Sequence, residues 1–174
     1  IRKRFRVPEH KIHVQPNWID TEVFSPSSDE SKSQNRVLFV GRFAEEKNLS
    51  LLIDAISGTD LMVTIVGSGD GEKIIREKID REGIEAEIKN RVPNHNMPTF
   101  YRQCSVYVIC SRYEGNPKTL LEAMACGCAV IGTNVRGVRE IIEHGKTGIL
   151  VDQNVIALRQ AMLDLINDRN LCLE

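Results

Sequence analysis

Ser105-Val106-Tyr107-Val108-Ile109-Cys110 is apolar at almost every position, and it runs into Ser111-Arg112-Tyr113-Glu114-Gly115-Asn116-Pro117. A short apolar run closed by polar residues, Gly and Pro reads as a strand covered on both faces. Leu61–Val66 repeats the pattern and ends in Gly67-Ser68-Gly69-Asp70-Gly71. Val37–Val40, Ala86–Lys89 and Cys128–Gly132 are further β-rich runs, and Gly148–Val151 is a sixth candidate. Their starts recur about every 20 to 25 residues, which is the rhythm of βαβ units. Helical stripes fill the intervals: Leu49, Leu52, Ile53 and Ile56; Ile74, Ile75, Ile79 and Ile84; Leu120, Leu121, Met124 and Ala125; Val138, Ile141 and Ile142; Ile156, Leu158, Met162, Leu165 and Ile166. The pattern predicts an α/β fold, a Rossmann-like doubly wound parallel sheet.

The composition agrees. Of 174 residues, 41% are hydrophobic and 27% charged, which excludes a disordered tail, a collagen repeat or a membrane bundle. A net charge of −1 argues against a nucleic-acid partner, and 5% aromatics argue against a base-stacking platform. No apolar run approaches the length of a membrane span. Cys104, Cys110, Cys126, Cys128 and Cys172 fit no zinc spacing, and Cys104, Cys110 and Cys128, which fall in apolar runs, read as buried thiols of a reducing, cytoplasmic compartment. His10, His13, His95 and His144 form no base or ligand set, and no metal is expected.

The chain opens on Ile1 and not on Met, so it reads as a piece of a longer polypeptide. Residues 1–36 are expected to be a lead-in and linker from a preceding domain, and 37–174 the Rossmann-like domain. Lys11–Gln15 is a candidate strand, and Ser25 through Gln34 is polar and linker-like. Arg2, Lys3, Arg4 and Arg6 read first as a solvated face; contact with a membrane surface or a partner is the alternative.

In an open parallel sheet, ligands bind beyond the carboxyl ends of the strands. Gly41-Arg42-Phe43-Ala44-Glu45-Glu46-Lys47, the Gly67–Gly71 run, Asn90-Arg91-Val92-Pro93, Ser111–Pro117 and Thr133–Gly137 therefore gather on one rim. Asn116-Pro117 suits a helix start, Asn as cap and Pro at the first helical position. The amides of Lys118, Thr119 and Leu120 would then face the rim as an anion site, with Arg42 and Lys47 opposite. Such a set suits a diphosphate; simple capping and solvated cations are the plainer alternative. Glu114 and Glu122 suit sugar hydroxyls better than a proton-transferring pair, although Glu122 could equally be a surface charge. Gly67-x-Gly69-x-Gly71 departs from the dinucleotide fingerprint, so it predicts a tight turn and a close ligand approach.

The chain resembles a known family. Val40-Gly41-Arg42-Phe43-Ala44-Glu45-Glu46-Lys47-Asn48 is similar to a segment of the retaining glycosyltransferases of family four, which have the two-domain GT-B fold. Glu114 through Gly127 resembles their paired-glutamate signature, and Gln15-Pro16-Asn17-Trp18-Ile19-Asp20-Thr21 their lead-in. Gly137-Val138-Arg139-Glu140-Ile141-Ile142 and Gly145–Val151 resemble their ending.

The resemblance implies the C-terminal, donor-binding half of a GT-B enzyme of hexosyltransferase type. It would move a sugar with retention from a nucleotide-diphosphate sugar to a glycan, lipid or small molecule. Arg42, Lys47 and Glu114 would be catalytic, Arg42 and Lys47 on the diphosphate and Glu114 on the transferred sugar. Gly41, Gly67, Gly69, Gly115, Asn116, Pro117, Lys118, Thr119 and Leu120 would line the donor, with Glu122 on the ribose and Arg91 and Val92 near the base. The family needs no cofactor and usually no metal. An N-terminal domain of the same polypeptide would hold the acceptor, so this piece alone would turn over little. Asn116 stands where the family often has an apolar residue, and Trp18 replaces a glycine. The alternatives are a non-catalytic nucleotide-sugar-binding module and another GT-B enzyme, such as a nucleotide-sugar epimerase.

Overall fold

A computed structural model of the chain describes residues 7–27, 33 and 35–168. Among the described residues six strands form: β1 (Arg36–Val40), β2 (Met62–Val66), β3 (Ala86–Lys89), β4 (Val106–Ile109), β5 (Ala129–Thr133) and β6 (Ile149–Val151). They make one sheet in the order β3-β2-β1-β4-β5-β6, and every pairing is parallel. This is the doubly wound Rossmann-like arrangement expected from the apolar runs. Winding reverses between β1 and β4, which opens a crevice at their carboxyl ends.

Both faces are covered, which explains strands without polar alternation. Val37 and Phe39 of β1 and Val106 and Val108 of β4 face one core, with helices α1 (Leu49–Ile56), α2 (Glu72–Glu82) and α6 (Val155–Asn167). Leu38, Tyr107 and Ile109 face the other, with α3 (Met97–Gln103), α4 (Lys118–Ala125) and the single turn α5 (Arg136–Arg139). Arg159 of α6 donates to the carbonyls of Asp54, Ala55 and Ser57 at 2.8–2.9 Å, closing the carboxyl end of α1.

The structure corrects several local expectations. Lys11–Gln15 is no strand: Glu9–Lys11 is a single 3-10 turn, and Val14 is 91% exposed with no strand beside it. Ile74 and Ile156 leave their stripes and face solvent. The stripe ending at Ile142 forms a helix only over Arg136–Arg139. Helix α3 was not anticipated, although Met97, Tyr101 and Cys104 are buried at helical spacing. Phe24 of the lead-in is also buried, its ring edge-on to Tyr101. The cluster Arg2 to Arg6, residues 28–32 and 34 of the Ser-rich stretch, and Cys172 lie outside the described residues. No helix among the described residues is long and apolar enough to cross a membrane.

The loop after β2 lies on the loop after β1. Gly41 N–H donates to the Val66 carbonyl at 3.0 Å, Phe43 N–H to Ser68 at 3.0 Å, and Gly71 N–H to Phe43 at 2.9 Å. Gly67, at φ +146°, has no room for a side chain: a Cβ there would meet the Gly41 carbonyl oxygen at 1.9 Å. Gly67→Ala should therefore cost about 3 kcal/mol from overpacking and backbone strain. Gly58→Ala, at φ +75° with nothing within 4 Å, should cost only about 1 kcal/mol. Urea midpoints at unchanged slope measure the difference.

Candidate functional site

The crevice between β1 and β4 is closed by two loops. From the first, Lys47 sends Nζ to Glu114 Oε1 at 2.5 Å, and from the second, Ser111 Oγ donates to the same oxygen at 2.7 Å. The Lys47 and Glu114 side chains are 22% and 10% exposed, so water screens the pair only partly. The backbone ties the loops as well: Arg112 N–H donates to the Glu46 carbonyl at 2.8 Å. Ser111 is fixed in turn, because Thr133 Oγ at the end of β5 donates to its carbonyl at 2.7 Å. Beneath, the Cys110 thiol donates to the carbonyls of Lys47 and Asn48, and burial pushes its pKa up to about 12. It remains a thiol.

Arg42 stands apart from this pair. Its guanidinium holds Glu46 Oε1 at 2.8 Å and its side chain is 76% exposed. Such an i,i+4 pair is worth about 0.3–0.5 kcal/mol, so little holds Arg42 back from a ligand. Arg42 also lines a cleft of about 720 Å³, with Ala44, Ser50, Gly69, Asp70 and Arg112. Lys47, Glu114 and Glu122 are absent from that lining, and the cleft's walls include Phe43, Leu49, Ile74 and Ile75. We place the candidate site at the polar crevice, since a charged ligand needs cations and amides more than volume.

Helix α4 begins at Lys118, one residue later than expected. Pro117 takes the capping position in an extended conformation, and Asn116 makes no cap. A distant residue competes for Asn116: Asn17 N–H donates to its Oδ1 at 3.0 Å, and Asn17 Nδ2 donates to its carbonyl at 2.5 Å. Leu120 N–H turns back to the Pro117 carbonyl at 3.3 Å, leaving Lys118 and Thr119 as the amides at the open end. Thr119 Oγ accepts from the buried Tyr107 hydroxyl at 2.8 Å. Trp18, 69% exposed, lies beside this helix end with Lys118 Nζ at 5.9 Å from its ring centre. Gly115 leaves open space, whereas a Cβ on Gly137 would meet the Gly115 carbonyl oxygen at 2.2 Å. Gly137 therefore lets α5 support the 114–115 loop from below.

Glu122 is no surface charge. It is 5% exposed, and its Oε2 accepts from the Tyr101 hydroxyl at 2.9 Å. Burial raises its pKa above the ordinary value, while Tyr101 and Lys118 pull it back down. Arg91 and Val92 follow β3 on the same rim, Arg91 exposed at φ +55°. Gly67 and Gly69 closely approach residues 41–43 of the neighbouring loop. The sequence places Ser111 and Thr133 on the rim without a role of their own, and it gives no sign of Tyr101, whose partner Glu122 lies 21 positions away. No group of three or more His, Cys, Asp or Glu side chains among the described residues could hold a metal ion.

The six-stranded, doubly wound parallel sheet is the Rossmann-like fold of its structural neighbours, which are GT-B glycosyltransferases. The chain belongs to the family described as glycosyl transferases group 1, whose model matches residues 20–174. It is 33% identical to an uncharacterised glycosyltransferase of Methanocaldococcus jannaschii, over 89% of this chain and 44% of that protein. It is similar in fold to the C-terminal domain of a group 1 glycosyl transferase from Francisella tularensis. There the TM-score is 0.77, with 25% identity over 89% of this chain and 91% of that one. It also resembles the Anabaena protein HepE, solved in complex with UDP-glucose. That match has a TM-score of 0.79 and 21% identity, over 88% of this chain and 47% of that one. The chain spans less than half the length of the curated relatives it matches.

Glu122 yields a prediction with a definite sign. Its folded pKa lies above its unfolded value, so the native chain holds the proton more tightly. Stability from this group is full below about 4.5 and falls as pH rises towards the raised value. Glu122→Gln cannot ionise and should lose that fall. Its Tm at pH 7 should exceed that of the native chain, with the gap closing towards pH 4, as read by calorimetry across that range.

Proposed function

We propose that this chain is the donor-binding half of a retaining glycosyltransferase of hexosyltransferase type. It holds a nucleotide-diphosphate sugar while a second domain of the same polypeptide presents the acceptor, a glycan, lipid or small molecule. The observation that carries the reading is the Lys47–Glu114–Ser111 cluster at the switch point, beside the open amides of Lys118 and Thr119. In this reading the cation and the amides bind the diphosphate, and the carboxylate accepts from sugar hydroxyls. The UDP-glucose bound to HepE on the same fold supports the ligand class.

In this reading Lys47 and Arg42 neutralise the diphosphate and stabilise it as leaving group, as preorganised charge does at developing anions. Glu114 fixes the transferred sugar. Glu122 accepts from the ribose, Arg91 and Val92 flank the base, and Gly41, Gly67, Gly69, Gly115, Asn116 and Pro117 line the donor. Charge stabilisation then needs no metal, because side chains and amides supply it.

Thermal shift with UDP-, GDP- and ADP-sugars tests donor binding on the chain itself. One base should stabilise it above the others, by about 2.7 kcal/mol at a hundred times Kd. No response to any of them overturns the reading. In the polypeptide holding both halves, Lys47→Ala and Glu114→Ala should each slow transfer about a hundredfold.

A further inference from the structure

We propose that Tyr101 is a positioning residue for the nucleotide ribose, its hydroxyl holding one oxygen of Glu122 so that the other is left to accept from the sugar diol. This rests on the reading of Glu122 as the ribose group. Tyr101 Oη lies 2.9 Å from Glu122 Oε2, and both residues are buried. Oε1 of Glu122 has no hydrogen bond from any described residue. A buried carboxylate oxygen without a donor is costly, and a vicinal diol is the kind of group that supplies donors to it.

Tyr101 is well fixed for the task. Its ring meets Phe24 and Tyr107 edge-on, with centres 6.1 and 5.8 Å apart. Its carbonyl accepts from the thiols of Cys128 at 2.6 Å and Cys104 at 3.3 Å. Burial raises its hydroxyl pKa well above the ordinary value, so the donor stays protonated throughout the working range. Ring and backbone are therefore anchored independently of the hydroxyl. Removing only the hydroxyl frees the Glu122 side chain without emptying the core.

Isothermal titration of the chain tests this with UDP, GDP and ADP, each beside a counterpart whose ribose lacks both hydroxyls. The native chain should prefer the ribose form of its nucleotide by tenfold or more. Tyr101→Phe should shrink that preference severalfold, Glu122→Gln should also shrink it, and the double variant should show no more loss than Glu122→Gln alone. The preference is a ratio within one variant, so a general loss of stability cancels. If Tyr101→Phe does not fold, Tyr101→Met takes its place in the same comparison. A preference lowered by Glu122→Gln but untouched by the Tyr101 variant overturns the positioning role and leaves the ribose reading standing. A preference untouched by Glu122→Gln, or no binding of any nucleotide, overturns both.

Discussion

The contact of Lys47 with Glu114 across the switch point holds the rest of the site together. Lys47 ends the 3-10 turn Glu45–Lys47 and Glu114 sits in a loop, and such connections alone do not hold charges in place. Here the charges meet at 2.5 Å in partial shelter from water, and Ser111 supplies a second donor to the same carboxylate oxygen. Partly buried pairs return their desolvation cost only when further hydrogen bonds satisfy them. The pair therefore stores charge where the sheet's winding reverses, at modest net benefit to stability. A site built for folding alone would have used apolar side chains there.

Orientation depends on backbone approach. The loops after β1 and β2 are bonded to each other through Gly41, Phe43 and Gly71, and a side chain at Gly67 would collide with the Gly41 carbonyl. On the other flank, Gly137 allows α5 to sit against residues 114–115. Glycines of this kind do not need to touch a ligand to matter. They let neighbouring loops close until the cation and the carboxylate are held within hydrogen-bond reach.

The fold was legible because its signal is collective. Parallel strands covered on both faces must be apolar throughout, so the runs at Val37, Leu61 and Ser105 were unmistakable. Their carboxyl ends put Lys47 and Glu114 on one rim. Local chemistry was less legible wherever a distant residue decided it. Asn116 has every property of a helix cap, yet Asn17, ninety-nine positions earlier, takes its side chain. Helix α3 carries Pro98 in its first turn, where proline is tolerated, and its buried residues Met97 and Tyr101 are too few to make a long stripe. Ile74 fits its stripe by spacing, but α2 is amphipathic over a narrower arc than the pattern suggested. Burial at Glu122 could not be read at all, since spacing along α4 gives a face but not the partner that covers it.

Glu122 also shows why function and stability pull apart here. A carboxylate at 5% exposure is held above its ordinary pKa by desolvation, so ionising it opposes folding. Tyr101 recovers part of that cost with a single hydrogen bond, and Lys118 recovers part through charge. A core selected only for stability would replace the carboxylate with an amide or an apolar group. Among the described residues nothing donates to Oε1, so a hydroxyl that reached it would gain more there than at a hydrated surface.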